Sequence, residues 1–201
     1  MNDTVLINSL KNAVEQLYEK DAYLLQSDHE LHEQTVSHRL AVYLEKNLRK
    51  SSIFRKNDFS VDCEYNKNGT EPKKIYSCCY NCDVQCFINS LREAAFEAMF
   101  DVEKSVRPDI IAHKRGMNYP NNLLIVELKK KSNSQNNEKN KDKMKLSAFT
   151  CQRYEDEKPH YQYQLGFFME YSDKKTALQE FKNGKETAVY SFDAETKEWT
   201  D

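Results

Sequence analysis

The stretch that decides the fold reads LLIVELKK at residues 123–130, and it is preceded by PDIIAH at residues 108–113. Both are short apolar runs, and the residues between them include Gly, Pro and Asn, which favour turns. The sequence therefore predicts two paired β-strands. Charged residues interrupt both runs, at Asp109 in the first and at Glu127 and Lys129 in the second. Because an unpaired charge inside a buried strand destabilises the fold, these three residues are candidates for a functional role.

The spacing within the second run predicts two different faces. Glu127 and Lys129 lie two residues apart, so on a strand both side chains leave the same face. Val126 and Leu128 turn to the other face. Asp109 opens the preceding strand, and pairing of the two strands would bring its carboxylate close to Glu127. We therefore expect one reactive face and one packed face.

Two neighbouring carboxylates can hold a hard cation. Mg²⁺ is commonly bound by one or two carboxylates, and it gathers phosphate oxygens and activates water. The predicted ligands are Asp109, Glu127 and the backbone carbonyl of Leu128, and Mn²⁺ is the alternative ion. Lys129 is predicted to orient the attacking water and to offset negative charge in the transition state. The simpler alternative is that Asp109 caps a turn and that the other charges mark where a strand emerges into solvent.

A third acidic residue lies on a helix predicted over residues 30–50. Glu33 shares one stripe of this helix with Val36, Leu40 and Leu44, which places it on the apolar side. Beside a metal site, Glu33 is therefore a candidate ligand of a second metal ion, or a residue that supports the metal ligands. Acidic residues also favour the first turn of a helix, so a capping role is the alternative.

The rest of the chain predicts an α/β protein with a small mixed β-sheet flanked by helices. We expect a single domain over residues 1–201, with an N-terminal helix in residues 1–28, a helical Cys-bearing insertion at 67–104 and a C-terminal extension at 172–201. The finer expectations are a strand over 59–65, a helix over 83–104, a mobile loop over 132–143, a helix over 142–154, a strand over 160–171, a short helix over 173–182 and a last strand over 186–192.

Four cysteines crowd into the predicted insertion. Cys79 and Cys82 have the tight spacing of one half of a zinc site, and a second half is missing. The favoured alternative is a set of small, partly buried thiols, because free Cys packs like a small hydrophobe. The residues concerned are Cys78, Cys79, Cys82 and Cys86.

The arrangement resembles the PD-(D/E)xK, or restriction-endonuclease-like, superfamily of nucleases. The matching pieces are Glu33 on the first helix, PD at residues 108–109 and ELK at residues 127–129. The resemblance implies an α-β-β-β-α-β core over about residues 30–170. The segments EQTVSHRLAVYL, VDCEYN, RPDIIAHKR and LLIVELKK are also similar to an uncharacterised bacterial group within this superfamily.

The resemblance implies a hydrolase that cuts phosphodiester bonds in DNA. The enzyme would be a Mg²⁺-dependent endo- or exodeoxyribonuclease, serving phage defence, restriction or DNA repair. Its implied catalytic residues are Glu33, Asp109, Glu127 and Lys129. The alternative function is a catalytically silent restriction-endonuclease-like module that binds nucleic acid or protein.

Attraction to DNA must come from local groups, because the formal net charge is −2. A flexible basic loop after the ELK motif could bind phosphates, and a solvated loop is the alternative. The chain shows neither a basic secretory start nor an apolar run of membrane-spanning length, so we expect a cytoplasmic protein, and a homodimer is left open. The candidate nucleic-acid-binding residues are His38, Arg39, His113, Lys114, Arg115, Lys130, Lys143 and Lys145.

Overall fold

The computed structural model describes residues 1–26, 32–65, 67–68, 71–72, 107–116, 121–131, 136–151 and 161–201. Its helices are α1 (Asp3–Asp21), which runs on into a 3-10 turn (Ala22–Leu25), α2 (Glu33–Leu48), α3 (Ser52–Lys56) and α4 (Asn136–Thr150). Its strands are β1 (Ser60–Cys63), β2 (Lys67–Asn68), β3 (Glu71–Pro72), β4 (Ile110–His113), β5 (Asn122–Lys130), β6 (Leu165–Tyr171), β7 (Lys175–Lys182), β8 (Lys185–Asp193) and β9 (Glu198–Thr200).

Seven strands form one mixed sheet in the order β1-β4-β5-β6-β7-β8-β9, and β2 pairs separately with β3. Neighbouring strands run antiparallel, except β5 and β6, which run parallel. A parallel pair needs a crossover connection, and α4 lies in this one. The predicted α/β class with a mixed sheet is confirmed. The prediction of a small sheet was wrong, because β7, β8 and β9 extend it beyond β6.

Both faces of β5 are buried, which explains its nearly continuous apolar run. Leu124 and Val126 face a large core built with α1 and α2, whereas Ile125 faces a smaller core under α4. The predicted N-terminal helix in residues 1–28 and the predicted helix over 30–50 are present as α1 and α2. The predicted strands over 59–65, 160–171 and 186–192 are present as β1, β6 and β8 with shifted bounds.

The predicted short helix over residues 173–182 is wrong, because β7 occupies this segment. Thr176, Leu178 and Glu180 are buried and alternate with less buried residues, which is the period of a strand. β7 also pairs with β6 on one side and β8 on the other. Tertiary pairing therefore overrides the local helical preference that the segment suggested.

The predicted mobile loop over residues 132–143 is wrong for the part from Asn136 onward, where α4 has already begun. α4 ends at Thr150, short of the predicted end at 154. Its first turns are strongly polar, and packing against the sheet decides their conformation: Asp142 and Met144 are already buried. Of the predicted insertion, only residues 67–68 and 71–72 are described. The helix over 83–104 and the four clustered cysteines lie outside the described residues.

In the parts of the chain that the structure describes, no helix is both long and apolar enough to cross a membrane.

Gly166 of β6 lets α4 approach the sheet closely. A Cβ at this position would lie 3.0 Å from Cγ2 of Thr150 and 3.2 Å from Cδ2 of Leu146. We expect Gly166→Ala to lower the free energy of unfolding by about 1–3 kcal/mol, because the helix must shift to admit the methyl group. Urea denaturation measures the loss.

Thr150→Ser is the matched partner for this substitution, because it removes Cγ2 and keeps the hydroxyl, which donates to the carbonyl of Leu146 at 2.8 Å. The loss caused by Gly166→Ala should be smaller in the Thr150→Ser background. Equal losses in both backgrounds would contradict close packing at this point.

Candidate active site

The candidate site lies where β5 runs past the beginning of β4. The ladder between these strands ends at the pair Ile110 and Val126, and β5 continues for four residues to Lys130. The predicted pairing of the two runs is therefore confirmed. The register places Asp109, the residue before β4, level with Glu127. Beyond Val126, the backbone groups of β5 that point toward β4 need other partners.

Two carboxylates supply those partners. Oδ2 of Asp109 accepts a hydrogen bond from the Leu128 N–H at 2.7 Å. Oε1 of Glu33 accepts one from the Lys130 N–H at 3.0 Å. Alternate N–H groups of a strand point to the same edge, so the two side chains continue the ladder that β4 leaves off. The edge of β5 is thus satisfied by acidic side chains from two other parts of the chain.

Asp109 is also fixed through its backbone. Its carbonyl accepts hydrogen bonds from the Glu64 N–H at 3.2 Å and from Oγ of Ser37 at 3.2 Å. One bond comes from the segment after β1 and the other from α2, so the position of Asp109 is set from both sides. Glu33 is the first residue of α2, which explains how a helix on one face of the sheet delivers a carboxylate to its edge.

Glu127 is the most deeply buried charged group of the site, with 2% of its surface exposed. Oε2 lies 3.6 Å from Nζ of Lys145, beyond hydrogen-bond length. Oε1 is buried and has no hydrogen-bond partner among the described residues. A buried carboxylate oxygen without a donor is costly, so this atom is well suited to take a ligand.

The charged groups form one chain of alternating sign. Nζ of Lys129 lies 3.1 Å from Oε2 of Glu33 and 3.6 Å from Oδ2 of Asp142. Nζ of Lys145 lies 2.6 Å from Oδ1 of Asp142 and then faces Glu127. The order along the chain is Glu33, Lys129, Asp142, Lys145 and Glu127.

The sequence interpretation missed Asp142. A signal for it exists, because Asp142, Leu146 and Phe149 share one stripe of α4, and the two apolar residues belong to the core under that helix. An acidic residue on an apolar stripe is a candidate site residue for the same reason that Glu33 was. Lys145 was predicted as a nucleic-acid-binding residue, and the structure places it inside the charged cluster, beside Glu127.

Burial controls the ionisation of the two candidate metal ligands. It raises the pKa of Asp109 to about 6, although the hydrogen bond from the Leu128 N–H opposes the shift. It raises the pKa of Glu127 well above its ordinary value, and the charge of Lys145 opposes this. Both shifts mean that two ionised carboxylates are unfavourable at this site unless a proton or a cation binds to them.

The two lysines stay charged. Burial would lower the pKa of Lys129, but the carboxylates of Asp142 and Glu33 outweigh it and raise that pKa. Burial would also lower the pKa of Lys145, and Glu127 and Asp142 raise it instead. When Glu33, Asp142 and Glu127 are ionised together with the adjacent Asp109, the two ammonium groups leave a net charge of −2, which a divalent cation would neutralise.

The candidate ligand set suits Mg²⁺ better than an ion that needs many protein ligands, because it consists only of Asp109, Glu127 and the Leu128 carbonyl. Among the described residues, no three His, Cys, Asp or Glu side chains are grouped so as to hold a metal. Mg²⁺ needs only one or two carboxylates because it keeps several waters. The Leu128 N–H points toward Asp109, and the C=O of a strand residue points to the same edge as its N–H. The carbonyl therefore lies on the same edge of β5 as the Asp109 carboxylate.

Three of the predicted nucleic-acid-binding residues lie at or beyond the opposite end of β4. Nε2 of His113 lies 3.0 Å from Oδ2 of Asp62, and its ring contacts Tyr65 at 4.7 Å between centroids. Nε of Arg115 donates to the same Asp62 oxygen at 2.9 Å. Lys114 is half-buried, and its N–H donates to the Asn121 carbonyl at 3.0 Å. The structure does not bring these side chains to Glu127.

The other predicted basic residues have separate surroundings and do not form one cluster among the described residues. His38 is exposed on α2, and Arg39 is bound to Asp21 at 2.9 Å. Lys130 is buried, and its Nζ donates to the Gln26 carbonyl at 2.8 Å. Lys143 is half-buried on α4, with its ammonium 5.4 Å from the centre of the Phe168 ring.

Comparisons with known proteins give no match to this chain, whether against models of protein families, curated proteins or solved structures.

The raised pKa of Asp109 predicts a pH dependence of stability. Because the folded-state pKa of about 6 lies above the ordinary 3.8, the protonated carboxyl stabilises the fold below pH 3.8, and this contribution is lost as the pH rises through 6. Asp109→Asn keeps an oxygen for the Leu128 N–H and does not titrate. The free energy of unfolding of the wild type should therefore fall, relative to the variant, over this interval.

The measurement is urea denaturation of both proteins at a series of pH values, with EDTA present so that no cation binds the carboxylates. Asp173→Asn, at an exposed position, is the control and should show the wild-type profile. Parallel profiles for the wild type and Asp109→Asn would contradict the burial of Asp109.

Proposed function

We propose that the protein is a Mg²⁺- or Mn²⁺-dependent nuclease that hydrolyses phosphodiester bonds in DNA. The observation that carries the proposal is the buried carboxylate of Glu127, one oxygen of which lacks a hydrogen-bond partner among the described residues. It lies level with Asp109 in a cluster whose net charge suits a divalent cation. Buried acidic groups with raised pKa values are concentrated at functional sites, which supports the proposal.

The order of elements supports a restriction-endonuclease-like core. Among the described elements, α2, β1, β4, β5, α4 and β6 occur in the α-β-β-β-α-β order that the superfamily resemblance implies, with α3 between α2 and β1 and the β2–β3 pair between β1 and β4. Asp109 immediately precedes β4, Glu127 lies on β5, and Glu33 begins α2. The larger sheet adds β7 to β9 beyond β6 and leaves this order unchanged.

Each residue of the cluster has a chemical purpose in this proposal. Asp109, Glu127 and the Leu128 carbonyl would hold the cation, which when bound makes water more acidic and offsets charge on phosphate oxygens. Glu33 and Asp142 fix the ammonium group of Lys129 on the same face as Glu127. Lys129 would donate hydrogen bonds to the attacking water or to a phosphate oxygen, and it would stabilise the negative charge that develops there.

A catalytically silent module that binds nucleic acid or protein is the second candidate. The observation on its side is that Lys129 and Lys145 each lie within ion-pair distance of two carboxylates, so much of the cluster is neutralised internally. Such a cluster can be stable without a cation. The nuclease proposal is preferred because internal pairing leaves an oxygen of Glu127 without a donor among the described residues.

The proposal predicts metal-dependent cutting of DNA. Purified protein is incubated with linear, circular and single-stranded DNA in Mg²⁺, Mn²⁺ or EDTA, and products are separated on gels. We expect cutting in either metal and none in EDTA. Asp109→Asn, Glu127→Gln and Lys129→Met should each slow it by about a hundredfold or more, because each removes a ligand or a transition-state contact.

Lys141→Met is the matched control for the lysine substitution, because Lys141 is exposed on α4. It should keep nearly the wild-type rate. Absence of cutting on every substrate in both metals, or cutting that survives the three substitutions, would refute the nuclease proposal. DNA retained by the uncut wild type in a gel-shift assay would then favour the silent module.

A further inference from the structure

Asp142 is a buried acidic residue in the most polar part of α4. Its neighbour Lys141 is exposed and Lys143 is half-buried, whereas Asp142 is 5% exposed. A charge in that position is unfavourable unless both carboxylate oxygens find partners. Both do, because Oδ1 accepts a hydrogen bond from Lys145 and Oδ2 lies within ion-pair distance of Lys129.

The distances show which carboxylate holds Lys145. Its ammonium group donates a hydrogen bond of 2.6 Å to Asp142 and remains 3.6 Å from Oε2 of Glu127. Without Asp142, the ammonium group would be expected to form a direct hydrogen bond with the buried Glu127 carboxylate. Charge-assisted hydrogen bonds of this kind are strong, and they are shorter than the observed separation. Asp142 therefore draws Lys145 to one side.

This position of Lys145 keeps Glu127 open. Oε2 receives the attraction of the ammonium group without a direct bond, and Oε1 is without a hydrogen-bond partner among the described residues. A lysine bonded directly to Glu127 would occupy the oxygens that a divalent cation needs. Asp142 also reaches Lys129, at 3.6 Å, on the other side.

We propose that Asp142 is a positioning residue that holds Lys145 away from Glu127 and thereby keeps the Glu127 carboxylate available to a divalent cation. The inference rests on the proposed function, because it concerns the same cation site. Asp142 touches neither the cation nor the substrate in this scheme. It acts through Lys145, which stays close enough to lessen the cost of the buried charge on Glu127.

The first test measures Mn²⁺ binding to the full chain without DNA, by isothermal titration calorimetry. Asp142→Asn should weaken Mn²⁺ binding by about ten- to a hundredfold, which is the usual effect of losing a residue that orients a metal ligand. Glu127→Gln, measured in parallel, should abolish binding at this site, so that the calorimetric signal is assigned to it.

Two double variants with the same formal charge separate position from charge. Asp142→Asn combined with Lys145→Met should restore most of the Mn²⁺ affinity, because the lysine that closes on Glu127 is gone. Asp142→Asn combined with Lys129→Met should not restore it. Equal recovery in both double variants, or an Asp142→Asn variant that binds Mn²⁺ like the wild type, would overturn the inference.

Asp142→Glu keeps the charge and moves the carboxylate by one methylene group. It should also weaken Mn²⁺ binding, and Lys145→Met should again relieve the loss. This variant provides the test if Asp142→Asn does not fold. Unchanged affinity in Asp142→Glu would show that the charge of Asp142 matters and its position does not, which would also overturn the inference.

A metal-free crystal structure of Asp142→Asn gives a readout that does not depend on activity. The distance from Nζ of Lys145 to Oε2 of Glu127 should shorten from 3.6 Å to a direct hydrogen bond. A lysine that turns to solvent instead would overturn the inference.

The outcomes distinguish this inference from the nuclease proposal. A protein that binds Mn²⁺ with the expected variant pattern and cuts no DNA would refute the nuclease and support the inference. A protein that cuts DNA but shows equal recovery in the two double variants would refute only the inference. A wild type that binds no Mn²⁺ at Glu127 would refute both.

Discussion

A carboxylate on a strand that is covered on both faces is the constraint on which the rest of the site depends. Glu127 lies in the middle of the sheet, and α4 covers the face to which it points. Removing its charge from water is unfavourable by several kcal/mol unless other groups compensate. The chain compensates in part, with an ammonium group at 3.6 Å, and leaves one oxygen without a donor among the described residues. In the proposed nuclease, a bound divalent cation would be the partner of that oxygen.

At the edge of β5, the same hydrogen bonds stabilise the fold and position the side chains of the candidate site. Beyond the beginning of β4, the carboxylates of Asp109 and Glu33 accept the hydrogen bonds of the Leu128 and Lys130 N–H groups. The Glu33 bond anchors α2 to the sheet and keeps this carboxylate beside Lys129, and the Asp109 bond fixes a carboxylate level with Glu127. The stability of the domain and the geometry of the candidate site therefore cannot vary independently. Substitutions here must be interpreted with measurements of folding as well as of activity.

Much of the fold could be predicted because its central elements have strong periodic patterns. The two apolar runs predicted the β4 and β5 pair, and the helical stripes predicted α1 and α2. The failures lie where tertiary contacts override weak local signals. The segment of β7 resembled a short helix until its neighbours β6 and β8 supplied hydrogen bonds on both sides. The start of α4 was predicted as a loop because its first turns are polar and have no apolar stripe. Their buried face became apparent only from the burial of Asp142 in the structure.

The sequence by itself determined that Asp109, Glu127 and Lys129 would meet on one face of neighbouring strands, because strand periodicity and a short connection leave few alternatives. It also determined that Glu33 faces inward on its helix. Only the tertiary structure decided that Asp142 and Lys145 join them, since the crossover through α4 brings that helix over β5. It likewise decided that His113 and Arg115 bind Asp62 instead, because their end of β4 packs against β1. Periodicity fixes the direction of a side chain within its own element, whereas the packing of elements decides which charges become partners.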